Sequence, residues 1–66
     1  MKLTVNGEPK TVSDGLTLAQ LVEELHLVPG RLACEVNGNI VRRADYAAHP
    51  LDNGDSVEIV QMIGGG

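Results

Sequence analysis

Residues 17–30 read "TLAQLVEELHLVPG". Leu18, Leu21, Val22 and Leu25 fall at i, i+3, i+4 and i+7, which is one apolar stripe along a helix, while Gln20, Glu23 and Glu24 lie off it. Thr17 is placed as the N-cap, where its hydroxyl can meet an orphan N–H of the first turn. Pro29-Gly30 supplies the stop signal. The spacing therefore predicts a helix over 17–27. A single stripe is stable only if another surface buries it, so the segments on either side decide the fold.

Upstream, "MKLTV" (1–5) alternates, with Met1, Leu3 and Val5 on one side and Lys2 and Thr4 on the other, as in a half-buried strand. "NGEP" follows, and Asn6-Gly7 supplies the positive φ of a tight turn. "KTV" then returns as a short second strand, and "SDG" breaks the pattern before the helix. Downstream, "RLACEVNGNIV" reads as another hairpin. Leu32, Cys34 and Val36 share a face, Ala33 and Glu35 the other, and Asn37-Gly38 is the strongest turn signal in the chain. Ile40 and Val41 begin a fourth strand. "RRADYAAHP" has room for one irregular helical turn. "LDNGDSVEIVQM" is a turn, with Asp55 placed to stabilise it through the backbone, and then a last strand with Val57 and Ile59 inward and Ser56 and Glu58 outward. The Val-Asn-Gly triplets at Val5 and Val36 mark two similar turns rather than a repeat.

The order is strand, strand, helix, strand, strand, strand. One helix covers one sheet face, and the connection back to the sheet is a right-handed crossover. The expected class is α+β: a ubiquitin-like β-grasp, with a mixed four- or five-stranded sheet, one main helix packed across one face, and the first and last strands side by side and parallel. Periodicity alone also admits other small α+β topologies.

At 66 residues the chain makes one domain, of a size that buries only about 60% of its unfolded surface. Phe and Trp are absent and Tyr46 stands alone, so the core is aliphatic. The single cysteine excludes an internal disulfide and fits a reducing compartment. A net charge of −4 argues against a nucleic-acid partner and for a protein partner with a basic face. No apolar run is long enough to span a bilayer, and the N-terminus carries no signal-type stretch. The expected location is the cytoplasm.

Val60 and Met62 fall on the strand face opposite Val57 and Ile59. With the helix on the core side, both are expected to be exposed and to mark a partner surface. Cys34 alternates with Leu32 and Val36 and so points to the core, whereas a persulfide carrier needs an exposed, low-pKa thiol. His26, His49 and Cys34 lack metal-ligand spacing. Arg42 and Arg43 read as a solvated pair.

Four stretches, taken in order, carry a resemblance over essentially the whole chain: "VNG" near the start, "VNGNIVRR" in the middle, "LDNGDSVEIV" late, and "IGGG" at the end. Together they resemble the thiamine-biosynthesis sulfur carrier proteins, the ThiS-type members of the β-grasp superfamily. The family often has Trp where Tyr46 sits, and Pro where Arg42 sits.

The resemblance implies a β-grasp domain over 1–62 and a flexible glycine-rich tail over 63–66. It implies that the Gly66 carboxylate is adenylated by an activating enzyme using ATP and magnesium. A donor such as a cysteine desulfurase then supplies sulfur, and the resulting thiocarboxylate passes it to thiazole synthase. Gly64, Gly65, Ile63, Met62 and Val60 would serve partner docking and tail insertion. The protein would bind no cofactor, catalyse nothing itself and be a monomer when free. Glycine suits such a tail, because a Cβ would collide with a narrow channel and free φ/ψ lets the backbone bend to fit. Two alternatives stay open: a molybdopterin-synthase-type small subunit or other sulfur carrier, and a ubiquitin-like modifier joined through Gly66 to lysines.

Overall fold

The structure is a computed structural model and describes residues 1–62. The chain runs β1 (Lys2–Val5), β2 (Glu8–Thr11), α1 (Leu18–Glu24), a 3₁₀ turn (Pro29–Arg31), β3 (Leu32–Val36), β4 (Asn39–Val41), a longer 3₁₀ stretch (Arg43–Ala48) and β5 (Ser56–Gln61). The strands form one five-stranded sheet in the order β2-β1-β5-β3-β4. β1 and β5 are parallel, with Thr4 opposite Ser56 and Val5 opposite Val57, and the other pairings are antiparallel. This is the mixed sheet expected from the element order, with β5 at its centre.

Alternation along the strands divides the sheet into a wet and a dry face. Leu3, Val5, Leu32, Cys34, Val36, Val57 and Ile59 are buried on one side, and α1 presses Leu18, Leu21 and Val22 onto the same core. Tyr46, from the second 3₁₀ stretch, joins that core beside the helix. The edges are blunted: β2 carries Glu8, Pro9 and Lys10, and β4 is only three residues long. Charge, proline and shortness all discourage pairing with another chain.

The helix is shorter than the predicted 17–27, and both ends have a local cause. At the start, the Gln20 N–H donates to the Thr17 hydroxyl at 3.2 Å and the Thr17 N–H donates to the Gln20 side-chain oxygen at 2.8 Å. This reciprocal capping box satisfies two donors at once. At the other end the helix stops before Pro29-Gly30. The His26 N–H donates to Glu23 O at 3.0 Å and the Leu27 N–H to Val22 O at 3.2 Å, with His26 at φ 58. That bond pair with a left-handed residue between is a Schellman motif, usually built on glycine. Pro29-Gly30 opens the next 3₁₀ turn instead.

Both Asn-Gly turns adopt the predicted left-handed geometry, with φ of 50 and 82 at Asn6-Gly7 and 51 and 84 at Asn37-Gly38. β2 begins at Glu8 and takes in Pro9, earlier than the reading of "KTV" allows, because the two-residue turn leaves Glu8 opposite Val5.

Candidate functional site

β5 delivers the chain to one end of the sheet. Just past that strand, the Met62 N–H donates to Arg31 O at 2.8 Å, which holds the last described residue against the 3₁₀ turn preceding β3. Val60 stands opposite Ala33 on the helix-free face of the sheet. Val60 is 60% exposed and Met62 55%, as their alternation with Val57 and Ile59 requires. Ile63, Gly64, Gly65 and Gly66, the remaining site residues read from the sequence, and the proposed 63–66 tail lie outside the described residues.

The sheet brings further side chains to this face that strand alternation alone does not join. Antiparallel pairing sets Glu35 directly opposite Glu58 on one side and Ile40 on the other. Ile40 is the most exposed large apolar residue described, at 78%. Ala33, Ile40 and Val60 thus form a broken apolar surround to a pair of carboxylates. The alternation of "LACEV" signals that Ala33 and Glu35 face outward, but only the register shows what they face.

Three basic residues gather toward the end where the chain leaves β5. Arg31 precedes β3, and Arg42 and Arg43 follow β4. The Arg42 guanidinium pairs with Asp45 at 3.4 Å, an exposed contact of small energetic value. The Arg43 guanidinium lies over Gly30, where a Cβ would come within 3.1 Å of Nη1.

Cys34 is buried, as its strand position predicts. It lies beside Tyr46, whose hydroxyl is pushed up to about 12, first by burial and then by the neighbouring Cys34 thiol, with Arg43 nearby acting in the opposite direction. Both groups belong to the core. Among the described residues no three His, Cys, Asp or Glu side chains are grouped to hold a metal ion. No described helix is long and apolar enough to cross a membrane.

A five-stranded mixed sheet with parallel first and last strands, crossed by one helix, defines a ubiquitin-like β-grasp domain. The crystal structure of the thiamine biosynthesis protein (ThiS) from Geobacter metallireducens superposes with a TM-score of 0.86 at 35% identity, covering 100% of both chains. The sulfur carrier protein ThiS of Escherichia coli is 30% identical over 66 residues, again covering 100% of both. The ThiS family model matches residues 3–66, and the chain belongs to that family. A thiazole synthase from Magnetococcus marinus is 41% identical over the whole of this chain, which spans only 20% of that protein.

Proposed function

We propose that this domain is a sulfur carrier in thiamine biosynthesis and a protein co-substrate rather than an enzyme. The observation that carries the reading is the extent of the family match, which runs through the three terminal glycines to Gly66. A carboxyl terminus is ionised at neutral pH, its reference pKa being about 3.3–3.7, and an ionised carboxylate is a poor electrophile. In the proposed reaction its oxygen attacks the α-phosphorus of ATP on an activating enzyme, magnesium assists, and pyrophosphate leaves. The acyl-adenylate then has a good leaving group. A persulfide sulfur from a cysteine desulfurase-type donor attacks the carbonyl and AMP departs. A second thiol cleaves the S–S bond of the acyl disulfide, leaving a thiocarboxylate on Gly66.

Thiazole synthase is the proposed acceptor. The Magnetococcus marinus thiazole synthase carries a region similar to this entire chain within a longer polypeptide. Such a linkage raises the effective concentration of a carrier near its acceptor. The domain is proposed to act in the cytoplasm, as a monomer between encounters.

The test is ATP–pyrophosphate exchange with the purified adenylating enzyme of the same organism, beside intact mass measurement of the protein isolated from cells. Exchange together with a sulfur-for-oxygen mass gain is expected. High-mass adducts on lysines of other proteins would instead identify a modifier. Absence of both exchange and mass gain would leave an inert β-grasp domain.

A further inference from the structure

Asn-Gly occurs three times, at Asn6, Asn37 and Asn53. With no Cβ on the glycine, its amide nitrogen lies open to the side chain of the preceding asparagine. The two groups can react if that nitrogen comes within about 3–3.5 Å of the side-chain carbonyl carbon. The fold restrains the three sites unequally. At Asn53 both groups are held: the side-chain oxygen accepts from the Lys2 N–H at 2.8 Å, and the Gly54 N–H donates to Lys2 O at 2.7 Å. At Asn6 the side-chain oxygen accepts from the part-buried Ile59 N–H at 2.7 Å, while the Gly7 N–H has no partner among the described residues. The Asn37 side chain is held only by exposed bonds: Nδ2 donates to Asp55 at 2.9 Å, and the oxygen accepts from the Ser56 N–H at 2.9 Å. The Gly38 N–H likewise has no partner among the described residues, and β4 beyond it is a three-residue edge strand. Exposed bonds beside a short edge element are where local opening costs least.

We propose that Asn37 is the site at which the folded domain deamidates, ahead of Asn6 and Asn53. When the side chain swings off Asp55 and Ser56, the Gly38 nitrogen gives its proton to hydroxide and bonds to the side-chain carbonyl carbon. Nδ2 takes up a proton from water and leaves as ammonia. Water then opens the cyclic imide at one of its two C–N bonds, giving aspartate or isoaspartate at position 37. The net change is water consumed and ammonia released, with no oxidant or cofactor. Either product weakens the grip on β5. Aspartate places a carboxylate where Nδ2 had donated to Asp55, so an attraction becomes a like-charge contact. Isoaspartate carries the side-chain methylene into the main chain and lengthens a tight turn, which then no longer matches the β3–β4 register. Deamidation needs only this chain and water, so it stands or falls apart from the carrier reading.

The test ages the protein in warm, mildly alkaline buffer, once folded and once unfolded in urea. Peptide mass spectrometry then maps aspartate and isoaspartate at each of the three asparagines, and each folded rate is scaled to the same site's unfolded rate. Unfolded, the three sites should convert at comparable rates. Folded, Asn37 should convert about tenfold or more faster than Asn6, with Asn53 the slowest. Urea too dilute to unfold the domain should raise the rate at Asn6 more steeply than at Asn37, since the slope follows the surface that each opening exposes. Conversion led by Asn6 or Asn53 in the folded protein overturns the proposal. So do equal scaled rates or equal urea slopes, which would mean that every site reacts only after global unfolding. Conversion confined to the unfolded sample overturns it as well.

Discussion

Asn6 and Ile59, 53 positions apart, are joined by a 2.7 Å hydrogen bond in which the Ile59 N–H donates to the Asn6 side-chain oxygen. The Asn6 N–H also donates to Val57 O at 2.9 Å. The turn residue thus extends the parallel ladder beyond the end of β1. Asn37 does a similar task on the other flank: its N–H donates to Ser56 O at 2.8 Å, and its side-chain oxygen accepts from the Ser56 N–H at 2.9 Å. Two Asn-Gly turns, alike in sequence, therefore grip the first half of the central strand from both sides.

Asn6→Gly keeps the left-handed backbone accessible and removes only the side-chain acceptor. The Ile59 N–H it serves is part-buried, so its loss should cost about 1–2 kcal/mol. Asn37→Gly breaks exposed bonds to Ser56 and Asp55 that water can replace, and should cost about 0.5–1 kcal/mol. Urea denaturation of both variants checks the order. A larger loss at Asn37 would show that burial of the Ile59 amide is not the deciding factor.

His26 occupies the left-handed position of the helix-ending motif at φ 58, where most non-glycine residues are strained. His26→Gly should stabilise the domain by about 0.5–1 kcal/mol, the relief of strain being partly offset by the freer unfolded chain. His26→Val should destabilise it, since a β-branched side chain tolerates positive φ least. Thermal melting of the pair gives opposite signs if the motif controls the helix end.

Tyr46 makes stability depend on alkaline pH. Its hydroxyl, raised from 10.0 to about 12 in the fold, stays protonated where the unfolded chain has begun to ionise. Its contribution is complete below pH 10 and is lost as pH rises toward about 12, amounting to up to about 2–3 kcal/mol across that window. Tyr46→Phe should flatten this limb relative to the parent in denaturation curves collected across the window. An unchanged alkaline slope would place the titration elsewhere.

Removing Gly66 should abolish exchange with the activating enzyme, because the carboxylate would stop about 3.3–3.6 Å short of ATP. A reacting pair needs a separation of about 3–3.5 Å. Gly65→Val preserves length but adds a β-branched side chain, and should lower exchange by about a hundredfold. Both variants should melt like the parent, since the described core reaches no further along the chain than Ile59. Full exchange by the shortened protein would remove the terminal carboxylate from the mechanism.

Much of the fold was legible because a domain this small alternates cleanly. Leu3, Val5, Cys34 and Val57 announce their burial by period two, and Leu18, Leu21 and Val22 by the helical period. Thr17 was readable as the N-cap, whereas the reciprocal bond to the Gln20 side chain that completes the capping box came only with the structure. The end of α1 was obscured because His26, and not a glycine, takes the left-handed position, so Pro29-Gly30 drew the boundary too late. The side-chain bonds from Asn6 and Asn37 and the opposition of Glu35 and Glu58 depend on register between distant strands, which no local pattern encodes. Exposure of Val60 and Met62 followed from alternation, whereas the apolar contribution of Ile40 required β4 to be laid beside β3.

The central place of β5 has a mechanical consequence. Its antiparallel bonds to β3 lie across the strand direction, and β1 flanks it on the other side. A pull on the chain beyond Met62 runs along β5. It therefore loads the bonds to both neighbours in shear, so that they resist together instead of opening one after another like a zipper. A machine that grips the glycine end can tug on it without peeling the strand from the sheet.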